Sequence, residues 1–109
     1  MVHNTVKTPY TKKIENAMRI AKRHFGGECI ITATQPVDGA HVFPRSTHPH
    51  LSGVPQNIVP LTRRLHMAMD EKVRAADRII YLRQHVDPEH REALNQWLIE
   101  LLQVIAGAA

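Results

Sequence analysis

The stretch "NIVPLTRRLH", residues 57–66, decides how this chain is read. Asn57 opens it, four apolar residues follow, and His66 closes it just past a pair of arginines. Ile58 and Val59 favour extended backbone, and Pro60, which cannot donate to a ladder, puts the segment at a sheet edge or a strand end. Thr62 is an N-cap, so the chain turns helical there and runs on, with a break, to about Val86. The stretch is a strand-to-helix junction with an amide at one end and an imidazole at the other.

Upstream, Thr8-Pro9 reads as a helix start, with Thr as cap and Pro at the first helical position. Ile14, Ala17, Met18, Ala21 and Phe25 recur at helical spacing, and Lys12, Asn16, Arg19 and Arg23 fall on the opposite side. Gly26-Gly27 ends that helix. "ECIITAT", residues 28–34, is rich in β-branched residues and reads as a strand. "QPVDG" is a turn signal, "AHVF" at 40–43 resumes extended structure, and residues 44–56 read as a long ordered loop. Downstream, Asp87-Pro88 starts a last helix whose stripe is Leu94, Trp97, Leu98, Leu101, Leu102 and Ile105. That stripe is core or subunit interface, and a homodimer through the C-terminal helices is one use for it. The expectation is a single α+β domain over 1–109. Its core spans about 28–74, a short antiparallel β pair around a loop. An N-terminal helix flanks it, and a helical hairpin fills about 75–109.

Charge narrows the partners. The 109 residues carry a net +4, unevenly distributed. Lys7, Lys12, Lys13, Arg19, Lys22 and Arg23 face a single acid, Glu15, within the first 24 residues, whereas residues 67–109 hold seven acids and five bases. Basic charge gathered at one end suits a polyanion, nucleic acid first, or a solvated face. No apolar run is long enough to span a bilayer and the N-terminus lacks a signal-peptide core, so no membrane association and a cytoplasmic location are expected. One cysteine, Cys29, excludes an internal disulfide and a multi-cysteine zinc site within one chain.

The polar residues make a constellation: His41, fifteen residues, Asn57, eight residues, His66, then Asp70 four further on. Residues four apart share a helix face, so His66 and Asp70 can point at one ion. Imidazole nitrogen with carboxylate oxygen suits a divalent cation. His48 and His50 flank Pro49 in an exposed loop and read as mostly solvent-facing.

Residues 28–70 resemble the HNH nuclease family, whose site is the ββα-metal motif. His41, Asn57, the apolar "IVPL" and a helical His66 match the family's pattern in type, order and spacing. The resemblance implies a metal-dependent endonuclease that hydrolyses DNA phosphodiester bonds in a bacterial or phage-infected cell. His41 would activate water, and His66 with Asp70 would hold one divalent ion, Mg²⁺ or Mn²⁺ first, then Zn²⁺ or Ni²⁺. Asn57 would either hold the loop that orients His41 or reach the metal. Arg45 would pair with a phosphate oxygen, its planar fork suiting that task. Lys12, Arg19, Arg23, Arg63 and Arg64 would meet the DNA backbone. Two departures stand out. Ala40 occupies the place where many members have a metal ligand, leaving Asp38 as a substitute if the turn brings it round. The family's paired zinc cysteines are also absent, so packing must hold the fold. The alternative implied by Ala40 is a non-catalytic DNA-binding or assembly protein on the same scaffold.

Overall fold

A computed structural model describes residues 8–107. Helix α1 (Pro9–His24) begins where the sequence says it should: the Thr8 hydroxyl accepts from the Thr11 amide at 3.1 Å, with Pro9 just inside. It ends at Phe25, because Gly26 and Gly27 both take the left-handed conformation (φ 71° and 76°) and the Gly27 amide reaches back to the Lys22 carbonyl at 2.8 Å. Ile14, Ala17, Ala21 and Phe25 are buried, and Lys12, Arg19 and Arg23 are exposed on the other side.

Strands β1 (Asp38–His41) and β2 (Ile58–Leu61) form one antiparallel pair, with Asp38 opposite Leu61 and His41 opposite Ile58. Gly39 is where α1 crosses this pair. A Cβ there would lie 2.9 Å from Met18 Cγ and 3.2 Å from Ile58 Cγ2, so only glycine permits the approach. Helix α2 (Arg63–Lys72) follows β2 directly, capped by the Thr62 hydroxyl on the Leu65 amide. The expected break falls at Val73-Arg74, followed by a short 3₁₀ turn and α3 (Arg78–His85). After Asp87, whose carboxylate caps the Glu89 amide, a 3₁₀ turn leads into α4 (Arg91–Ile105), and α3 and α4 form the expected hairpin. The described residues therefore make an α+β fold of four α-helices and a two-stranded antiparallel sheet. No described helix is long and apolar enough to cross a membrane.

One expected element is absent. "ECIITAT" is a compact turn and not a strand: the Cys29 amide bonds the Thr34 carbonyl, Ala33 bonds back to Cys29, and Ala33 itself adopts φ 55°. A single bond from the Ile30 amide to the Pro60 carbonyl joins it to the open edge of β2. The β-branched residues there serve burial, with Cys29 and Ile30 fully enclosed. Burial pushes the Cys29 thiol pKa up. Hydrogen bonds from Thr32, and from the Thr32, Ile31 and Thr62 backbones, outweigh it and leave the net shift downward.

The core lies between α1, the β pair, α3 and α4. On α4, Leu94, Trp97, Leu98 and Leu101 are buried, while Leu102 and Ile105 of the same expected stripe are exposed. Trp97 stacks on His24 at 4.2 Å, and its indole N–H donates to the Ile58 carbonyl at 2.9 Å. It therefore fixes the start of β2 from behind, in the core role its stripe implied.

Candidate active site

The two histidines of the sequence pattern, His41 and His66, line one open groove of about 800 Å³ together with Arg45, Asp70, Arg78 and Met18 of α1, and the asparagine is buried outside that lining. Each is held by a different piece of local structure.

Asn57 is fully buried just before β2, and its side chain is spent on the loop. Its Oδ1 accepts from the Phe43 amide at 2.8 Å, and its Nδ2 donates to the Phe43 and Leu51 carbonyls at 3.0 and 3.1 Å. Those bonds close residues 43–57 into a fixed loop. Of the two roles open to Asn57, the geometry takes the loop-holding one. Asn57→Ala should lower unfolding stability by roughly 3 kcal/mol, since three buried groups lose partners at about 1 kcal/mol each. Asn57→Asp, which restores only the acceptor, should not recover that loss. Urea denaturation followed by circular dichroism reads both, and wild-type stability in either variant would contradict the clamp.

His41 ends β1 with its ring at the loop. The Ser52 carbonyl, 2.9 Å from Nε2, can only accept, so the proton sits on Nε2 and the Nδ1 lone pair is free. Burial is the main force holding this imidazole's pKa below the ordinary 6.5. The Ser52 carbonyl opposes it, the Arg45 and His66 charges reinforce it, and Asp70 opposes it weakly. His41 is thus kept neutral and able to accept a proton. Ser52 is itself anchored: the Tyr10 hydroxyl lies 2.6 Å from its Oγ, which donates to the Pro49 carbonyl at 2.6 Å. The Arg45 guanidinium lies over the Tyr10 ring, 5.7 Å from its centroid. These links tie α1 to the His41 loop, and no motif in the sequence marks them.

His66 stands between two carboxylates. Its Nδ1 donates to Asp38 Oδ2 at 3.1 Å, and its Nε2 lies 3.2 Å from Asp70 Oδ2. With Nδ1–H on Asp38, a lone pair at Nε2 would set two acceptors, Nε2 and Asp70 Oδ2, side by side. Such a pair would suit a divalent cation. Asp38 is on the wrong ring nitrogen to share the ion. It belongs instead to the carboxylate–imidazole pairing that orients a ligating histidine. Among the described residues no three His, Cys, Asp or Glu side chains gather as a metal-holding group. A divalent ion at this site would have His66 and Asp70 as its protein ligands and would take its other positions from water and substrate oxygens. Ala40 is fully buried, and Asp38, two residues back on the same strand face, is the acid that reaches α2.

The expected cations divide. Arg63 grips Asp38 with two bonds of 3.2 Å, and its side chain stays largely exposed. Hydrogen bonds from His66 and then from Arg63 hold the Asp38 carboxyl below its usual range. Arg64 is exposed, as are Lys72 and Arg74, which line the groove with Arg45 and which the sequence did not single out. Lys12, Arg19 and Arg23 lie on the outer side of α1 and make no contact with the groove residues named above; Arg19 donates to its neighbour Asn16 at 3.1 Å. His48 and His50 stay outside the site, their rings 6.0 Å apart in the loop.

The residue that sequence reasoning missed is Arg78. It is buried at the start of α3 and bonds Asp70 Oδ1 at 3.2 Å and the His41 carbonyl at 3.0 Å. A basic residue opening a helix carries no signal of such a place. Comparison of the chain with family models, with curated proteins and with solved structures finds no match.

Proposed function

We propose that this chain is a metal-dependent endonuclease of the HNH type, cleaving DNA phosphodiester bonds on a ββα-metal core. The observation that carries the reading is the pairing within one groove of a neutral imidazole with a free Nδ1, His41, and an imidazole–carboxylate pair 3.2 Å apart, His66 and Asp70. The chain order of strand, strand and helix through residues 38–72 supports it as well.

The chemistry follows from these side chains. His66 and Asp70 would hold a divalent ion, which when bound would supply Lewis acidity to a phosphodiester oxygen and offset charge on the leaving oxygen. His41 Nδ1 takes the proton of the attacking water. As the ring becomes charged, its Nε2–H bond to the Ser52 carbonyl strengthens, which favours the transition state over the resting site. Arg45, Lys72 and Arg74 make the groove attractive to a polyanion. Supercoiled plasmid incubated with the chain and Mg²⁺, Mn²⁺, Ni²⁺ or Zn²⁺, beside a chelator control, tests the reading. Conversion to relaxed or linear form only with metal supports it. Tight plasmid binding without any cleavage, under all four ions, would select the non-catalytic DNA-binding alternative that Ala40 suggested.

The outer face of α1 is proposed to add DNA affinity. Lys12, Arg19 and Arg23 sit opposite the buried Ile14, Ala17 and Ala21, so changing them leaves the core intact. The triple change to Gln should weaken binding on any DNA sequence and reduce the slope of log K against log salt by up to about three, one per lost phosphate contact. Base preference should barely move. An unchanged slope would move the DNA contact to Arg45, Lys72 and Arg74 around the groove.

A further inference from the structure

We propose that Arg78 is the positioning residue that locks the strand bearing the base to the helix bearing the metal ligands, and that it restrains how tightly the site holds its ion. The proposal rests on the nuclease reading above. Among the described residues the buried polar side chains are Ser52, Asn57 and Arg78. Ser52 and Asn57 are accounted for by the loop they close. Arg78 is only 5% exposed, and a buried guanidinium is costly unless its donors are met. It also opens α3, the end where a helix dipole disfavours a cation. Neither local propensity nor solvation explains it.

Its partners do. Nε donates to the Val73 carbonyl at 3.1 Å, at the break that ends α2. Nη1 donates to the His41 carbonyl at 3.0 Å and lies 3.2 Å from Asp70 Oδ1. One planar fork therefore holds the end of β1, the end of α2 and a ligand side chain in a single frame. A lysine, whose three donors sit on one nitrogen, cannot reproduce the two separate nitrogens, Nε and Nη1, that meet these partners. Asp70 has one oxygen on Arg78 and the other beside His66 Nε2, so its plane is set before any ion arrives. The guanidinium also offsets part of the Asp70 charge, so an ion at the site is held less tightly and in one place.

Two variants test this, Arg78→Met and Arg78→Lys, assayed at a temperature where circular dichroism shows each folded. Both should lower kcat for DNA cleavage by about 10- to 100-fold, the cost of a misplaced reacting group, with KM for DNA unchanged because Arg78, where it lines the groove, is only 5% exposed. Mn²⁺ alone, titrated by calorimetry, should bind Arg78→Met several-fold more tightly than wild type and Arg78→Lys about equally. A merely structural arginine would lower the melting temperature and leave kcat and Mn²⁺ affinity where they were. That result in the folded variants would overturn the proposal, and so would failure of both variants to fold. If the wild-type chain cleaves no DNA, the nuclease reading falls. The tighter Mn²⁺ binding of Arg78→Met still reports on Arg78 in that case.

Discussion

His66→Ala should lose divalent-ion binding and DNA cleavage together while its helical circular dichroism survives. His66 brings Nε2 to within 3.2 Å of Asp70, and its ring is clamped from behind by Asp38, itself gripped by Arg63. Losing an outer partner of a metal ligand typically costs about 10–100-fold in affinity, so losing the ligand itself should exceed roughly 100-fold. Asp38→Asn, which weakens the acceptor on Nδ1, should fall in the smaller range and keep some activity. Calorimetric titration with Mn²⁺ separates the three proteins. Wild-type affinity in His66→Ala would remove His66 from any metal site, and equal losses in both variants would make Asp38 a ligand after all.

His41→Ala should keep Mn²⁺ and DNA affinity and cleave about 10²–10⁴-fold more slowly, the usual share of a general base. The wild-type pH profile carries a sign. Burial, aided by Arg45 and His66 against the Ser52 carbonyl and Asp70, lowers the His41 pKa from 6.5, so the ring is already mostly neutral at that pH. At saturating metal the acid limb of the rate should therefore lie below pH 6.5. The same shift acts on stability. Below about pH 6.5 the unfolded chain takes up a proton that the folded chain refuses, so His41's contribution to stability declines as pH falls toward its folded pKa. In His41→Ala that part of the pH dependence of urea unfolding should vanish. An acid limb above 6.5 in wild type would mean that some other group governs the rate.

Much of this arrangement was legible in residue order. Thr8-Pro9, Thr62 and the paired glycines marked helix ends because capping chemistry is local, and the structure puts each cap where the sequence did. His41 and His66 share one groove because a strand–loop–strand–helix path brings residues at that spacing together, and the buried Asn57, between them in sequence, closes the loop. What failed was the strand at residues 28–34. β-branched residues there satisfy burial, and the turn is imposed by bonds between Cys29, Ala33 and Thr34 that no propensity encodes. Asp38 was visible as an acid, but its role depended on which ring nitrogen it met. Arg78 was invisible, because its three partners lie five, eight and thirty-seven residues away and meet only through packing.

His41 is proposed to perform the proton transfer in a metal-dependent cleavage. The most direct measurement is supercoiled plasmid relaxation by wild type and His41→Ala, purified in parallel, stripped with chelator and resupplied with saturating Mn²⁺. Wild type should relax the plasmid only with metal, and His41→Ala should do so at no more than about one-hundredth of that rate. Equal relaxation by the two proteins would contradict it, and so would none from either.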